Sequence, residues 1–175
     1  MSDFPSATAI HEPIVTQMSD SIKSSQDLLA EFIKNGKELI SLAKSISPQA
    51  MNKVPIAGEW SAAYVLHHMC DGEMHFATRY ITNLAEVTPN IVPFNEDVYP
   101  DRLQYAKRDA FASIAAIEAI QLAIANILGA IPESDWSRTS IHPESGLLTL
   151  TDLFAMDTRH SKSHAGQLQE IIDAL

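Results

Sequence analysis

The amino-acid sequence predicts an all-α fold, a single four-helix bundle whose helices run up-down-down-up. Apolar residues recur at helical spacing in four separate stretches of about 25 residues each. No stretch shows the alternation of apolar and polar residues that is typical of a half-buried strand. The longest connection, 87–103, lies between the second and third helices and is long enough to let those two helices run parallel.

Length and composition indicate a soluble globular chain. Its 175 residues suffice for one domain with a core of its own, and the apolar fraction of 46% excludes disorder. No apolar run approaches the roughly 20 residues of a membrane span. The single cysteine, Cys70, excludes an internal disulfide, and no secretory signal is visible, so a cytoplasmic protein is expected. The formal net charge of −10 argues against nucleic acid and anionic membranes as partners.

The first half of the chain is predicted to hold an arm and two helices. Residues 1–15 show no periodic pattern and read as an N-terminal arm, so the bundle domain is expected over 16–175. The first helix is predicted over about 16–46 and the second over about 61–86, with Ser61 as the N-cap of the second. The apolar stripe of the second helix consists of Val65, Met69, Gly72, Phe76, Tyr80 and Leu84.

The second half is predicted to hold two more helices, each preceded by a loop. The proline-containing loop 87–103 comes first, and long connections of this kind are usually functional. The third helix is predicted over about 104–130, and 133–148 forms the second loop. The fourth helix is expected to be capped by Thr149 or Thr151.

The fourth helix carries polar residues on a face that is otherwise apolar. Asp157, His160 and His164 lie on the same helical line as Leu153 and Leu168. Burial of an unpaired polar group costs about 1–3 kcal/mol, so these side chains require partners. Two interpretations are open: core histidines that bond to one another or to water, or the two-ligand clamp that an i, i+4 pair of histidines offers to a metal ion.

Helical phase favours His68 as a third ligand. It lies on one shoulder of the apolar stripe of the second helix. His67 is turned about 100° away and is expected to be solvated, whereas His75 lies about 10 Å further along the helix. Cys70 points about 160° from His68, so it is rejected as a fellow ligand.

Two motifs resemble the signatures of the DinB-like (DinB/YfiT) superfamily. The first is WSAAYVLHH at 60–68, and the second is RHSKSHAGQ at 159–167. The resemblance covers the chain from about residue 16. It implies a four-helix bundle, often dimeric, in which His68, His160 and His164 bind a divalent metal ion.

The resemblance also implies a function. Members are assigned as metal-dependent hydrolases or as transferases that use low-molecular-weight thiols, so an enzyme with a small-molecule substrate, such as a thiol, is expected. Three imidazoles leave a coordination position open, where a water or a thiol loses its proton more readily. Zinc and nickel are the expected ions. Asp71 and Asp157, each one helical turn from a ligand, are the candidate catalytic carboxylates.

An alternative function stays open at this point. The chain could be a non-catalytic, metal-binding helical module that serves dimerisation or partner binding. Leu66 and Leu84, expected to be exposed on the shoulder of the second helix, predict a homodimer together with the resemblance. An open coordination position and a concave pocket would favour the enzyme, whereas a broad apolar helix face would favour the module.

Overall fold

The computed structural model describes residues 24–175, so the predicted arm at 1–15 lies outside the described part. From Ser24 onward the chain forms α1 (Ser25–Ser45), α2 (Ala62–Ala85), the single-turn α3 (Tyr99–Arg102), α4 (Ala110–Ala130), β1 (Thr139–His142), β2 (Gly146–Thr149) and α5 (Leu150–Asp173). The four long helices α1, α2, α4 and α5 form the predicted bundle, and the all-α expectation is confirmed.

The helices run up-down-down-up, as predicted. α2 and α4 are parallel, because His67 bonds to Ser113 near the start of both helices and Glu73 bonds to Gln121 about two turns further along. α1 packs against α4 and α5, and α2 packs against α4 and α5. The connection between α2 and α4 therefore has to return the chain to the end of the bundle where α2 began, which explains its length.

N-cap residues define where the long helices begin. Ser24 caps α1, so this helix starts later than predicted, and the rest of its predicted span, 16–23, lies outside the described residues. Ser61 caps α2, and Thr149 forms a capping box at the start of α5, both as predicted. α4 starts after Asp109 rather than at 104, because its predicted first turn is a separate 3-10 turn.

The predicted loop 133–148 contains a two-stranded hairpin of β1 and β2. Each strand has four residues, which is too short for an alternating pattern to be visible in the sequence. Asn83, near the end of α2, anchors the hairpin by donating to Ser140 Oγ at 2.6 Å. Arg138 donates in return to the backbone oxygen of Asn83 at 2.9 Å. The hairpin is thus tied to the end of α2.

The core consists of two apolar layers with polar residues between them. One layer is built around Leu39, Leu66 and Leu168, and the other around Phe32, Tyr80 and Phe154. Each long helix contributes a buried polar residue at the level between these layers. We call this set the polar layer; it consists of Asn35, Glu73, Gln121, Asp157, Thr158 and Ser161.

Two expectations about apolar surface were wrong. Leu66 is fully buried in the core, and Leu84 is half-buried against the second apolar layer, because α4 and α5 cover more of α2 than its own stripe indicates. α4 is, by length and composition, apolar enough to cross a membrane, contrary to the expectation from the sequence. It packs against α1 and α2, with 33% of its apolar window buried, and one such helix is weak evidence for a membrane span.

Candidate metal centre

Three histidine rings converge between α2 and α5. Nε2 of His160 lies 3.0 Å from Nε2 of His68 and 3.1 Å from Nε2 of His164. One ring nitrogen from each residue lies within 4.8 Å of the other two. We call these three residues the histidine cluster. The sequence analysis selected the same three, because helical phase predicts well which way a side chain on a rigid helix points.

The donors and acceptors of these three rings conflict. Nε2 of a neutral imidazole either carries one hydrogen or offers one lone pair. Nε2 of His160 faces two other Nε2 atoms, so it can form a good hydrogen bond with only one of them. A divalent cation would accept the lone pairs of all three at a single point, at a nitrogen distance of about 2.0–2.1 Å. The arrangement therefore fits a metal ion better than a set of hydrogen-bonded core histidines.

Neighbouring side chains hold two of the rings in place. The indole of Trp60 packs against the ring of His68 in a T-shaped contact, with 5.4 Å between ring centroids. Gln167 Oε1 lies 2.8 Å from Nδ1 of His164 and accepts its hydrogen. A hydrogen on Nδ1 leaves the lone pair on Nε2, the atom that faces the cluster. Gln167 thus selects the tautomer of His164 that can bind a metal ion.

Gly72 allows the third ring to approach α2. A Cβ atom at this position would lie 3.3 Å from Cε1 of His160, which is tighter than ordinary van der Waals contact. Phe76, one turn further along α2, packs against the same ring with 6.1 Å between centroids. The absence of a side chain at Gly72 is therefore what lets His160 come close to α2.

Burial keeps the three rings neutral. It lowers the pKa of His164 to about 4, with the neighbouring His68 adding to the effect. Burial also lowers the pKa of His160 well below its ordinary value, again with help from the two other rings. The pKa of His68 is lowered by burial, against an opposing effect from the charge of Asp71. Neutral rings at physiological pH are the form that binds metal ions.

Glu96 is the residue at this site that the sequence analysis missed. It lies in the connection between α2 and α4, and its Oε2 is 3.8 Å from Nε2 of His68. Its charge also acts to raise the pKa of His164, against the effect of burial. The length of the 87–103 connection was the only sequence signal, and an irregular segment does not reveal which of its residues folds over the site.

The two aspartates predicted to be catalytic have their hydrogen-bond partners elsewhere. Asp71 Oδ2 accepts from the Tyr105 hydroxyl at 2.7 Å and from Arg108 at 2.8 Å. Asp157 Oδ2 accepts from the Tyr80 hydroxyl at 2.8 Å, inside the polar layer. No hydrogen bond to a cluster histidine is found for either of them in the described structure, and their catalytic roles stay predictions.

Three other residues weighed as ligands, His67, Cys70 and His75, lie outside the histidine cluster. His67 is fully buried rather than solvated, since the start of α4 and Tyr105 cover its side of α2, and its Nδ1 lies 2.8 Å from Ser113 Oγ. Cys70 is buried too, and burial raises the pKa of its thiol. His75 stacks on Phe94 at 4.0 Å between centroids, away from the cluster contacts. None of these three belongs to the group whose ligand atoms converge.

Sequence comparisons find related bacterial proteins. The sequence profile of the DinB superfamily matches residues 31–168. A protein of Bacillus cereus (strain 03BB102), named a candidate metal-dependent hydrolase, is 26% identical over 162 residues, which cover 90% of this chain and 89% of the relative. A similarly named protein of Bacillus mycoides (strain KBAB4) is 26% identical over 136 residues, covering 76% of this chain and 78% of the relative.

Two solved structures share the fold. YfiT from Bacillus subtilis, described as a probable metal-dependent hydrolase with an unusual four-helix bundle topology, has a TM-score of 0.78 at 20% identity over 90% of both chains. The colibactin self-resistance protein ClbS, solved in complex with a dsDNA, has a TM-score of 0.62 at 13% identity over 89% of this chain and 99% of that chain. At these identities the likeness concerns the fold alone.

Proposed function

Because this chain belongs to the DinB superfamily, we propose that it is a metal-dependent enzyme whose active site is the histidine cluster. The reaction is hydrolysis of a small molecule or a group transfer that uses a low-molecular-weight thiol. The observation that carries the proposal is the approach of three neutral Nε2 atoms to one another without matching hydrogens. The names of the Bacillus relatives support the metal-dependent hydrolase reaction.

His68, His160 and His164 would hold the ion, which we propose to be zinc or nickel. When bound, it would supply a Lewis acid that polarises a carbonyl group or favours the ionised form of a water or thiol. Burial keeps the three lone pairs available, and Gln167 fixes that of His164. The site is therefore prepared for the ion by the chain itself.

Carboxylates supply the proton chemistry in this proposal. Glu96 Oε2, exposed on the connection above the cluster, is placed to accept a proton from a substrate beside His68. We assign Asp71 a supporting role, because its negative charge acts to raise the pKa of His68. Asp157, three residues before His160, is the second predicted catalytic carboxylate, and it accepts a hydrogen bond from the Tyr80 hydroxyl.

Metal binding tests the proposal first. Protein made without a histidine tag and stripped with a chelator should bind one equivalent of Zn²⁺ or Ni²⁺ in isothermal titration calorimetry. His160→Ala should weaken binding by more than about 100-fold, since loss of a ligand exceeds the 10–100-fold cost of losing a supporting residue. His67→Gln, at the adjacent buried histidine, is the control and should leave the affinity unchanged. If His160→Ala binds as the wild type does, the interpretation as core histidines is correct.

Turnover then separates an enzyme from a binding module. Metal-loaded wild type, chelated protein and Glu96→Gln are compared on a panel of small esters and amides and in conjugation of cysteine to a fluorogenic electrophile. We expect turnover by the loaded wild type, none by the chelated protein, and at least about a 10-fold loss in Glu96→Gln. Tight metal binding without turnover on any substrate would favour the non-catalytic module.

We also propose that the protein is a homodimer. Of the predicted contact residues, Leu66 is buried and Leu84 is half-buried. Apolar side chains are exposed elsewhere on the neighbouring helices α2 and α4, namely Met74, Ile81, Leu122 and Ile127. Two of these side chains, Ile81 and Ile127, line an apolar groove between the two helices. Sedimentation equilibrium at micromolar concentration should give the mass of a dimer, and a monomer mass would refute this assignment.

A further inference from the structure

Arg79 is a half-buried cation that packs against two aromatic rings. Its guanidinium carbon lies 5.2 Å from the ring centroid of Phe76 and 5.3 Å from that of Phe94. Its Nε is buried without a hydrogen bond, and Arg79 forms no ion pair in the part of the chain that the structure describes. Aromatic faces stabilise a cation but leave the N–H donors of a guanidinium unused.

The other half-buried arginines of residues 24–175 have partners for their donors. Arg108 donates to Asp71 at 2.8 Å. Arg138 donates from Nε to the backbone oxygen of Asn83 at 2.9 Å. An unused buried donor is costly, so an arginine that keeps one requires a reason beyond packing. A ligand that arrives from outside would supply the missing acceptor.

Arg79 lies close to the histidine cluster. The ring of Phe76 contacts both Arg79 and the ring of His160. Phe94, which covers the guanidinium, is two residues from Glu96, whose carboxylate reaches His68. Arg79 and His68 thus both lie on α2, and the segment 94–96 contacts both of them. Phe76 lies between them, with its ring centroid 5.2 Å from the guanidinium carbon of Arg79 and 6.1 Å from the ring centroid of His160, so a small molecule that spans this ring reaches both.

No carboxylate among residues 24–175 forms an ion pair with Arg79. Asp157 is the carboxyl group whose charge acts on Arg79, but it accepts from Tyr80 and forms no ion pair with Arg79 in the described structure. Burial raises the pKa of Asp157 to about 7, so near neutral pH this carboxyl group carries only part of a charge. Arg79 is therefore an incompletely balanced positive charge in a chain whose formal net charge is −10.

We propose that Arg79 binds a carboxylate of the substrate while another atom of the same molecule occupies the histidine cluster. This inference rests on the proposed function of the cluster and narrows its substrates to small acids, such as a thiol or amide that carries a carboxylate. The planar guanidinium matches a carboxylate with two parallel hydrogen bonds. Phe76 and Phe94 beside it lower the local exposure to water, which strengthens such a contact.

The test compares two thiols of equal length, 3-mercaptopropionate and uncharged 3-mercapto-1-propanol. Thiols bind open zinc positions, so the sulfur anchors both probes whichever reaction the site performs. Dissociation constants are measured by calorimetry on the zinc-loaded full-length protein. The wild type should prefer the acid by at least about 10-fold, as expected for a charged hydrogen bond. Arg79→Gln should lose this preference, and exposed Arg159→Gln should retain it.

Two controls keep the outcomes separate. The affinities of Arg79→Gln for zinc and for 3-mercapto-1-propanol should equal those of the wild type, which shows that the fold and the cluster are intact. If zinc does not bind to the wild type, the proposed function fails and this inference fails with it. If zinc and both thiols bind, but the preference for the acid is absent in the wild type or unchanged in Arg79→Gln, only the role of Arg79 is refuted.

A spectroscopic measurement on the zinc-loaded protein supplies a readout that a purely structural role of Arg79 would not give. The Nε–H signals of the arginines are followed by 15N NMR while each thiol is added. The acid should shift the signal of Arg79 and leave that of Arg138 unchanged, because Arg138 Nε already donates to the backbone. The uncharged thiol should shift neither signal. A signal of Arg79 that does not respond to the acid would refute the proposal.

Discussion

Two polar clusters in this bundle share the helices α2 and α5, yet they differ in what would satisfy their polar atoms. The histidine cluster and the polar layer both use α2 and α5: Glu73 follows His68 by five residues, and Asp157 precedes His160 by three. The cluster lies beneath the segment that carries Glu96, whereas the polar layer is enclosed by all four long helices. The two clusters therefore occupy different levels of the bundle, although both use α2 and α5.

The polar layer is nearly satisfied by the protein alone. Gln121 donates to Glu73 Oε1 at 2.7 Å, and Tyr80 donates to Asp157 Oδ2 at 2.8 Å. Each carboxyl group keeps one buried oxygen that finds no hydrogen-bond partner among residues 24–175. Burial raises the pKa of both groups, and the charge of Asp157 raises that of Glu73 further. A retained proton would neutralise a carboxyl group of this layer without any ligand from outside.

The histidine cluster cannot be completed in that way. Burial lowers the pKa of its three rings, so an added proton destabilises them rather than satisfying them. Their lone pairs need a cation that the chain does not supply. The polar layer can thus be neutralised by a proton, whereas the histidine cluster requires a ligand. Three substitutions test this distinction.

The largest effect is expected at Gly36, where α1 crosses the polar layer. A Cβ atom there would overlap Gln121 Oε1 and force the amide away from Glu73. Gly36→Ala should lower the free energy of unfolding by about 2–3 kcal/mol, because a buried acceptor loses its donor and the site is overpacked. Urea denaturation measures the change.

The matched control is Gly166→Ala on α5, where a Cβ atom meets nothing within 4 Å. This substitution should raise the free energy of unfolding by about 0.5–1 kcal/mol through helix propensity. The metal affinity of Gly36→Ala should stay near that of the wild type. If Gly36→Ala weakens metal binding as strongly as it weakens folding, the two polar clusters are not separable units.

The fold and the convergence of the three histidines could be predicted from the sequence because both depend on helical phase. The apolar period gives four helices, and the same period places His68, His160 and His164 on faces that meet. These inferences need no knowledge of the loops. The directions of the helices are the exception, since they were predicted from the length of the connection before α4.

What the sequence could not supply depends on contacts between distant segments. His67 is buried because α4 and Tyr105 cover it, which its phase on α2 alone does not show. Glu96 reaches the cluster from an irregular segment without a periodic pattern. Leu66 was assigned to the surface for the same reason, since only the packed bundle shows how many neighbours α2 has.

Asp157→Asn should change how stability depends on pH. The pKa of Asp157 is raised to about 7 in the folded protein, compared with about 4 in an unfolded chain. Above pH 4 the unfolded chain releases this proton while the folded protein retains it, so stability present at low pH is lost as the pH rises through 7. The variant lacks this loss.

Between pH 5 and pH 8 the stability of metal-free Asp157→Asn should therefore rise relative to the wild type by on the order of 2 kcal/mol. Urea denaturation of both proteins across this range measures the difference, in which the contributions of the histidines cancel. A difference that stays constant with pH would mean that Asp157 is ionised in the folded protein, and that the polar layer does not complete itself with a proton.

The smallest effect is expected at Gly72, which controls the histidine cluster without binding anything. In Gly72→Ala the new Cβ atom would lie 3.3 Å from Cε1 of His160, so the ring must move by a few tenths of an ångström. We expect zinc affinity to fall by about 10-fold, the lower end of the cost of disturbing a supporting residue. The free energy of unfolding should change by less than about 1 kcal/mol, because a gain in helix propensity offsets the tight contact. Gly166→Ala, two residues from His164 but facing open space, should bind zinc as the wild type does. A Gly72→Ala protein with unchanged zinc affinity would show that the cluster tolerates displacement of His160, which a site built for three converging nitrogens should not do.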